Sequence, residues 1–383
     1  MNHHQLPFSS ELHERLGDNY KFVATAPVDK ERLNMGYADM NKQYPFILTT
    51  YDSESNVKEA MELALSSDVI ITGSAPAVYS RERIKQNKLT FKYSERIFRV
   101  MSRSLIYLAY LMKNHVRYKN KNLYMLCASA YTAGDFALMG LYKNKTFKWG
   151  YFPEVKKYDI GELIGSKKEK DKPIEILWAG RFLDWKHPEK AMIVARQLKH
   201  DGYDFKMKMI GSGEEESNIN RLIEKHKLDD CVTLLGTMPP EMVRGHMEDA
   251  NIFLFTSSYH EGWGAVLNEA MNSGCAVVAS HAAGAVPFLI KHGENGLVYK
   301  NSSNEDLYAQ VKKLMGDIDY RERLGYNAYN TLASEWNAEI VAERFLTLCE
   351  GLLSGKRIDV ESGPCSAAEP IAQHKMFRKV MLR

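Results

Sequence analysis

A chain of 383 residues, 45% hydrophobic and 26% charged, exceeds one ordinary core and suits two globular domains of about 150–200 residues each. Its longest apolar stretches, 104–112 and 251–256, fall short of the ~20 residues that span a bilayer, and Met1-Asn2-His3-His4-Gln5 lacks the apolar core of a signal peptide. The five cysteines are odd in number, far apart and without metal-ligand spacing, so a reducing cytoplasm is the expected location.

The chain opens on the loop His3-His4-Gln5-Leu6-Pro7-Phe8, and a helix follows with Ser9 or Ser10 as its N-cap. A doubly wound domain normally opens on a strand, so the first strand of the N-terminal domain is expected to be missing. Truncation is favoured over cover by a neighbouring element. Strand candidates follow at 21–27, 45–50, 69–73, 123–128 and 147–152, with helical patterns at 57–66 and 95–112. From Arg81 to Lys121, twelve Lys or Arg residues are opposed only by Glu82 and Glu95, a net +10 within a chain of net +3. Phe91, Tyr93, Phe98, Tyr107, Tyr110 and Tyr118 are interleaved among them. Such a segment suits an anionic membrane, a phosphate-bearing ligand or nucleic acid, and equally a solvated helix face. His115, at the end of a basic helix, is expected to be structural.

Residues 158–172 are polar, with a Lys/Glu run, and read as a linker. A second series of strands lies at 174–179, 205–210, 232–235, 252–256, 276–279 and 296–299. Helices between them are expected at 188–200, 217–226, 240–249, 266–273 and 304–315. This alternation predicts an α/β protein with parallel sheets, built as two Rossmann-like domains facing each other across a cleft. The domains are placed at 1–157 and 173–333, with an amphipathic helix at 336–353 and a tail at 356–383.

The strongest constellation is Thr256-Ser-Ser-Tyr-His260-Glu261-Gly262-Trp263-Gly264-Ala265-Val266-Leu-Asn-Glu269-Ala-Met-Asn-Ser-Gly274. A strand ends near Thr256, a Gly-x-Gly turn follows, and a helix begins near Ala265 and stops before Gly274. Its start offers unpaired N–H groups and a positive dipole end, and the glycines let a diphosphate approach the backbone. Glu261 and Glu269 flank this anion site, and each carboxylate can accept two hydrogen bonds from a vicinal diol. The alternative for two glutamates alone is decoration of a helix start. A second constellation, Trp178-Ala-Gly180-Arg181-Phe-Leu-Asp-Trp-Lys186-His-Pro188, places Arg and Lys between a strand and a helix start. A third, Gly211-Ser-Gly213-Glu-Glu-Glu216, lacks the third glycine of a dinucleotide fingerprint, and its acidic run would repel a pyrophosphate.

These segments resemble the Glu-x7-Glu motif and Gly-Arg…Lys loop of the family 4 glycosyltransferases, which have the GT-B fold, with Trp263 where that family usually has Phe. The similarity continues through Gly274-Cys-Ala-Val-Val-Ala-Ser, Gly284-Ala-Val-Pro287 and Gly293-Glu-Asn-Gly-Leu-Val-Tyr299. The resemblance implies catalytic roles for Arg181, Lys186 and Glu261, with Arg181 and Lys186 on the donor diphosphate and Glu261 on the donor sugar. It implies that Glu269 grips the ribose, and that Gly262, Trp263, Gly264, Ala265, Val266, Gly180, Gly211, Gly213, Leu235 and Met238 line the donor site. His3-His4-Gln5-Leu6-Pro7 and Trp149-Gly150-Tyr151-Phe152-Pro153 look like segments of a bacterial subset, which makes His3 and His4 acceptor-side candidates. Tyr131 and Asp135, just after the 123–128 strand, are further acceptor-side candidates.

No nucleophile-elbow sequence is present, and no paired His/Cys or Asp-x-Asp spacing points to a metal. The resemblance likewise implies no cofactor and no bound divalent ion. It further implies that a helix at about 336–355 returns to the first domain, and that anomeric configuration is retained. The expected partners are a nucleotide-sugar donor, a glycan or lipid-linked acceptor in bacterial surface-polysaccharide synthesis, and an anionic membrane touched through 81–121. Nucleic acid is not expected. The rivals are a nucleotide-sugar hydrolase or phosphorylase on the same scaffold, and a non-catalytic nucleotide-sugar-binding subunit.

Overall fold

The structure, a computed structural model, describes residues 1–28, 38–98, 105–167, 173–356 and 359–371. It resolves into two compact units, Met1–Glu154 with Trp336–Gln373, and Val155–Glu335. The basic end of the chain from Lys375, residues 99–104 of the basic segment and 168–172 of the expected linker lie outside the described residues.

In the first unit, α1 (Leu6–Leu16) begins before Ser9 and Ser10, which lie inside it. Asn2 Oδ1 gathers the N–H groups of His4 and Gln5 into a turn, and Pro7 occupies the first helical turn, where a missing N–H is harmless. β1 (Phe22–Ala24) and β2 (Ile47–Thr49) form a parallel pair. After α2 (Glu54–Ser66) come β3 (Ile70–Thr72), α3 (Val78–Lys85), β4 (Thr90–Ser94), α4 (Leu105–Asn114), β5 (Leu123–Cys127), α5 (Thr132–Ala137) and β6 (Thr146–Lys148). The strands β3-β4-β5-β6 make a second parallel sheet in that order. The sequence reading gives no strand at 90–94, because its short apolar content is interrupted by Lys92 inside the basic run.

Two further expectations change here. Residues 95–98 are not helical: the Asp135 carboxylate takes the N–H groups of Ile97 and Phe98 at 3.0 Å each and the Arg96 guanidinium at 3.3 Å. The net +10 segment is also not all surface. Arg83 is fully buried and donates to the carbonyls of Ala64, Ser67, Asp68 and Leu89, closing the end of α2 as a basic side chain can.

In the second unit, the expected linker is largely folded. Asp159 caps α6 (Ile160–Ser166) by accepting the Glu162 N–H, and Ile160 and Ile164, four residues apart, bury one face against Tyr329. Then follow β7 (Ile174–Ala179), α7 (Glu189–His200), β8 (Phe205–Ile210), α8 (Glu216–His226), β9 (Val232–Gly236), α9 (Pro240–Asp249) and β10 (Ile252–Phe255). They continue as α10 (Ala265–Asn272), β11 (Ala276–Ser280), α11 (Val286–Leu289), β12 (Leu297–Tyr299), α12 (Asn304–Gly316) and α13 (Ile318–Ser334). The sheet is parallel throughout, ordered β12-β11-β10-β7-β8-β9. Its central strands are buried on both faces, which is why they read as unbroken apolar runs.

The last helix among the described residues, α14 (Ala338–Leu353), packs on α1 in the first unit. Phe345 meets Phe8 at 5.9 Å, Phe91 at 5.1 Å and Trp149 at 5.5 Å, so an aromatic knot ties α14 to α1 and β4. Residues expected in the tail also join this unit: Lys148 N–H donates to Ser366 O at 2.8 Å, and Ala368 N–H to Thr146 O at 2.9 Å, extending the sheet antiparallel beyond β6. A strand edge left open is an aggregation hazard, and this segment covers it.

His115 is structural. Its Nδ1 lies 2.7 Å from Tyr142 Oη, and burial, reinforced by the Lys92 charge, lowers its pKa from 6.5 to about 3. The unfolded chain therefore binds a proton that the folded ring refuses, so stability is full above pH 6.5 and is lost as pH falls toward 3. Melting temperature should fall between pH 7 and pH 4, and His115→Gln should flatten that fall by at most ~1.4 kcal/mol per pH unit. Parallel melting curves for the two proteins across that range would refute the assignment. Residual slope is expected from His281, lowered by burial to about 4.

Candidate functional site

The chain order of the second sheet reverses between β7 and β10: β7-β8-β9 runs one way and β10-β11-β12 the other. In open α/β sheets ligands bind outside the carboxyl ends of the strands at such a reversal. The carboxyl end of β7 carries Gly180-Arg181, and that of β10 carries Thr256-Ser257-Ser258. Topology thus brings together two segments 75 residues apart in sequence.

The loop after β7 is fastened to the end of β10. Trp178 Nε1 donates to Thr256 Oγ1 at 2.8 Å, Thr256 Oγ1 donates to Lys186 O at 2.7 Å, and Ser258 N–H donates to Trp185 O at 2.8 Å. Lys186 ends a 3₁₀ turn (Asp184–Lys186), and its ammonium reaches Glu261 Oε2 at 2.7 Å, both side chains being little exposed. Ser257 Oγ donates to the same carboxylate oxygen at 3.1 Å. Arg181, five residues before Lys186 on the same loop, is exposed, and Gly180 is half-buried.

From Glu261 the chain turns through Gly262, Trp263 and Gly264 into α10, whose N-cap is Gly264 at φ +92° with no side-chain cap. An uncapped helix start is an anion-binding feature. Trp263 is fully buried with its Nε1 donating to Asn268 Oδ1 at 2.9 Å, so its side chain braces the turn from within. Gly262, Gly264 and Ala265 are also buried, while Val266 and Glu269 are half-buried. Burial raises the pKa of Glu269, and the nearby Arg244 charge partly opposes the shift. Arg244 itself donates through Nη1 to Glu269 O at 3.2 Å and Asn272 Oδ1 at 2.8 Å, pinning α10 from α9.

The glycines of this region answer first to packing. A Cβ on Gly211 (φ +130°) would lie 1.9 Å from Gly180 O, and one on Gly213 (φ +149°) 2.6 Å from Phe182 O. A Cβ on Gly264 would strike the Phe255 ring at 2.3 Å. The turn after β8 is thereby pressed against the basic loop, with Phe182 N–H donating to Ser212 O at 2.7 Å. Leu235 and Met238, half-buried at and after the end of β9, lie one strand further out, next to β8.

The acceptor-side candidates separate into two groups. Asp135 is buried with its carboxylate committed to Arg96, Ile97 and Phe98, and Tyr131 is buried with the Arg96 guanidinium 5.4 Å from its ring. Both hold the 95–98 segment in place, a correction to their expected role. His3 and His4 are half-buried, and the His4 ring stacks on Tyr151 at 5.0 Å and 12°. Tyr151 Oη donates to Glu95 Oε1 at 2.5 Å, which ties a carboxylate given no site role in the sequence reading to the ring that His4 stacks on. Arg244 was missed too. Its position three residues before buried Met247, on the inner face of α9, was the available signal.

Residues 159–331 match the sequence model of the family described as glycosyl transferases group 1. The chain is 33% identical over 153 residues to the amylovoran biosynthesis glycosyltransferase AmsK of Erwinia amylovora, covering 38% of this chain and 37% of that one. It is 27% identical over 191 residues to a colanic acid biosynthesis glycosyltransferase, WcaL, of Salmonella typhimurium, covering 48% and 47%. The matched region thus spans about half or less of those relatives' length. Among solved structures, Anabaena HepE in complex with UDP superposes with a TM-score of 0.69 at 16% identity, covering 91% of this chain and 96% of that one. A TarM variant of S. aureus bound to UDP, fondaparinux and α-GlcNAc-glycerol gives 0.58 at 17% identity, covering 77% and 59%. These likenesses establish the GT-B fold, with two Rossmann-like domains.

A half-buried carboxylate whose charge is disfavoured by burial weakens the ligand-free protein. Because its folded pKa is raised, that penalty is absent at low pH and grows as pH rises through the folded pKa. Glu269→Gln should therefore raise the melting temperature at pH 7.5 by roughly 1–3 °C. The gain should shrink as pH falls and wild-type Glu269 takes up its proton. A stabilisation independent of pH, or none, would contradict this.

Proposed function

We propose that this protein is a glycosyltransferase that moves a hexose-type sugar from a nucleoside diphosphate sugar to a glycan or lipid-linked acceptor in bacterial surface-polysaccharide synthesis. The observation that carries this is the meeting of Lys186 and Glu261 at the sheet's reversal point, beside the uncapped start of α10. Arg181 and Lys186 would hold the diphosphate, Glu261 the sugar hydroxyls and Glu269 the ribose diol. The family match over 159–331 and the relatives' own roles in polysaccharide synthesis support the reading.

In this proposal the bond between the acceptor oxygen and the sugar's anomeric carbon forms on the face from which the diphosphate departs. The departing phosphate oxygen takes the acceptor proton, so configuration is retained without a separate protein base. Negative charge grows on the diphosphate as its bond breaks, and fixed cations with a helix start stabilise that charge more in the transition state than in the ground state. No resident divalent ion is called for. The first unit, with His3, His4, Tyr151 and Glu95, is the proposed acceptor side.

The exposed part of the 81–121 segment is proposed to dock on an anionic membrane carrying the acceptor. Lys85, Lys88, Lys113, Arg117 and Lys119 are exposed there, as are Tyr110 and Met112 on α4, a basic and apolar combination suited to an interface. No helix among the described residues is long and apolar enough to cross a membrane. Flotation with anionic vesicles should recover the protein, and equal recovery with neutral vesicles would end this part of the proposal.

Matched nucleotides should raise the melting temperature by mass action. Uridine nucleotides head the panel because UDP occupies both solved neighbours. One nucleotide family should stabilise the wild type, and Arg181→Ala and Glu269→Ala should each weaken its binding by at least ~10-fold, the loss expected for a charge-assisted contact. A well-folded protein that no nucleotide stabilises would remove the basis of the reading.

A further inference from the structure

We infer that the Lys186–Glu261 pair is an exchange latch that shifts the site's selection from bare nucleoside diphosphate toward diphosphate carrying a sugar. The inference rests on the second unit being the nucleotide-sugar site. It assigns to the ligand-free ion pair a discrimination that neither side chain performs alone.

The pair joins one mobile partner to one fixed partner. Glu261 is short, and its backbone is held on both sides: its N–H donates to Ser258 O at 3.0 Å, and its carbonyl accepts from Gly284 N–H at 3.1 Å. The Lys186 backbone is equally fixed, by Thr256 Oγ1 on its carbonyl and by its own N–H donating to Leu183 O at 3.0 Å. Ser257 Oγ also tethers the carboxylate itself, so the longer lysine stem is the side of the contact that opens. An arriving diphosphate must therefore draw the Lys186 ammonium, wholly or in part, away from a carboxylate that stays where it is.

That withdrawal is unfavourable when nothing replaces the cation. The two side chains are only 14% and 11% exposed, so water screens them poorly. Ser257 Oγ would remain on Glu261 Oε2, leaving one neutral donor against a full charge, with the diphosphate's own charge nearby. A sugar beyond the diphosphate changes the balance, because its hydroxyls donate to the carboxylate as the ammonium leaves. Bare nucleoside diphosphate has no group in that place. Once a sugar has been transferred, Glu261 can reclaim Lys186, which favours release of the product diphosphate.

The test is titration calorimetry with matched pairs, UDP and UDP-glucose first, then GDP and GDP-mannose, then ADP and ADP-glucose. Glu261→Gln keeps the shape and a hydrogen-bond acceptor for Ser257 but removes the charge, and Glu261→Ala serves as a second variant should the first fail to fold. The expected result is of opposite sign for the two ligands. Bare diphosphate should bind roughly three- to tenfold tighter, as expected for removing one poorly screened charge, and the matched nucleotide sugar should bind more weakly. A merely structural glutamate would weaken both together. Bare-diphosphate affinity unchanged or reduced in the variants, with wild type binding normally, would overturn the latch and leave the donor-site reading standing. Wild type binding no member of any pair would overturn both.

Discussion

The mouth of the second unit depends on the hydroxyl of Thr256. That oxygen accepts the indole proton of Trp178 and gives its own proton to the carbonyl of Lys186. A hydroxyl has one proton to give, and the indole can only donate, so the direction of the chain Trp178→Thr256→Lys186 is fixed. One side chain at the end of β10 thus sets where the loop after β7 can run. Its two successors continue the work: Ser257 bonds the Glu261 carboxylate, and the Ser258 N–H bonds Trp185. Three consecutive residues fix the basic loop and the first glutamate in one frame, which is the preorganisation a charge-stabilising site requires.

The glycines were legible, but for an incomplete reason. From sequence, Gly264 read as room for a ligand's phosphates, and the resemblance put Gly211 and Gly213 in the lining of the donor site. In the fold, any Cβ at these positions would collide with Gly180 O, Phe182 O or the Phe255 ring before a ligand is considered. A glycine signal records close approach of something to the backbone, and in this unit that something is the protein's own neighbouring loop. The consequence for function is indirect. The turn after β8 is pressed onto the loop bearing Arg181, so the glycines help place the cations they do not touch.

Legibility differed between the units for physical reasons. Strands such as β10 and β11 are buried on both faces, and their bounds followed from unbroken apolar runs. In the first unit, β4 was hidden because Lys92 interrupts it; in the second, α6 was taken for a linker because only two isoleucines carry its burial. The 95–98 segment and the strip at 365–368 are held by partners far away in sequence, Asp135 and β6, and no local pattern announces such pairings. Asp135 shows the same limit from the other side. Its place after a strand suggested a ligand-facing role, while three donors from a distant segment had already claimed its oxygens.

The two motif glutamates, eight residues apart, manage their charge in opposite ways. Glu261 is matched in advance by Lys186 and Ser257, so it adds little strain to the ligand-free fold and must give up a partner to bind. Glu269 has its charge disfavoured by burial, with Arg244 supplying a partial field while spending its own hydrogen bonds on backbone and amide acceptors of α10. It therefore stands to gain from any ligand that brings hydroxyl donors. A ligand with a diol at one end, a sugar at the other and a diphosphate between them relieves both conditions at once. A fragment of it relieves only one. On this view the spacing of the motif does more than span a ligand: it sets one carboxylate matched in advance and one whose charge burial disfavours on either side of a helix start, so that binding is most favourable when both ends are occupied together.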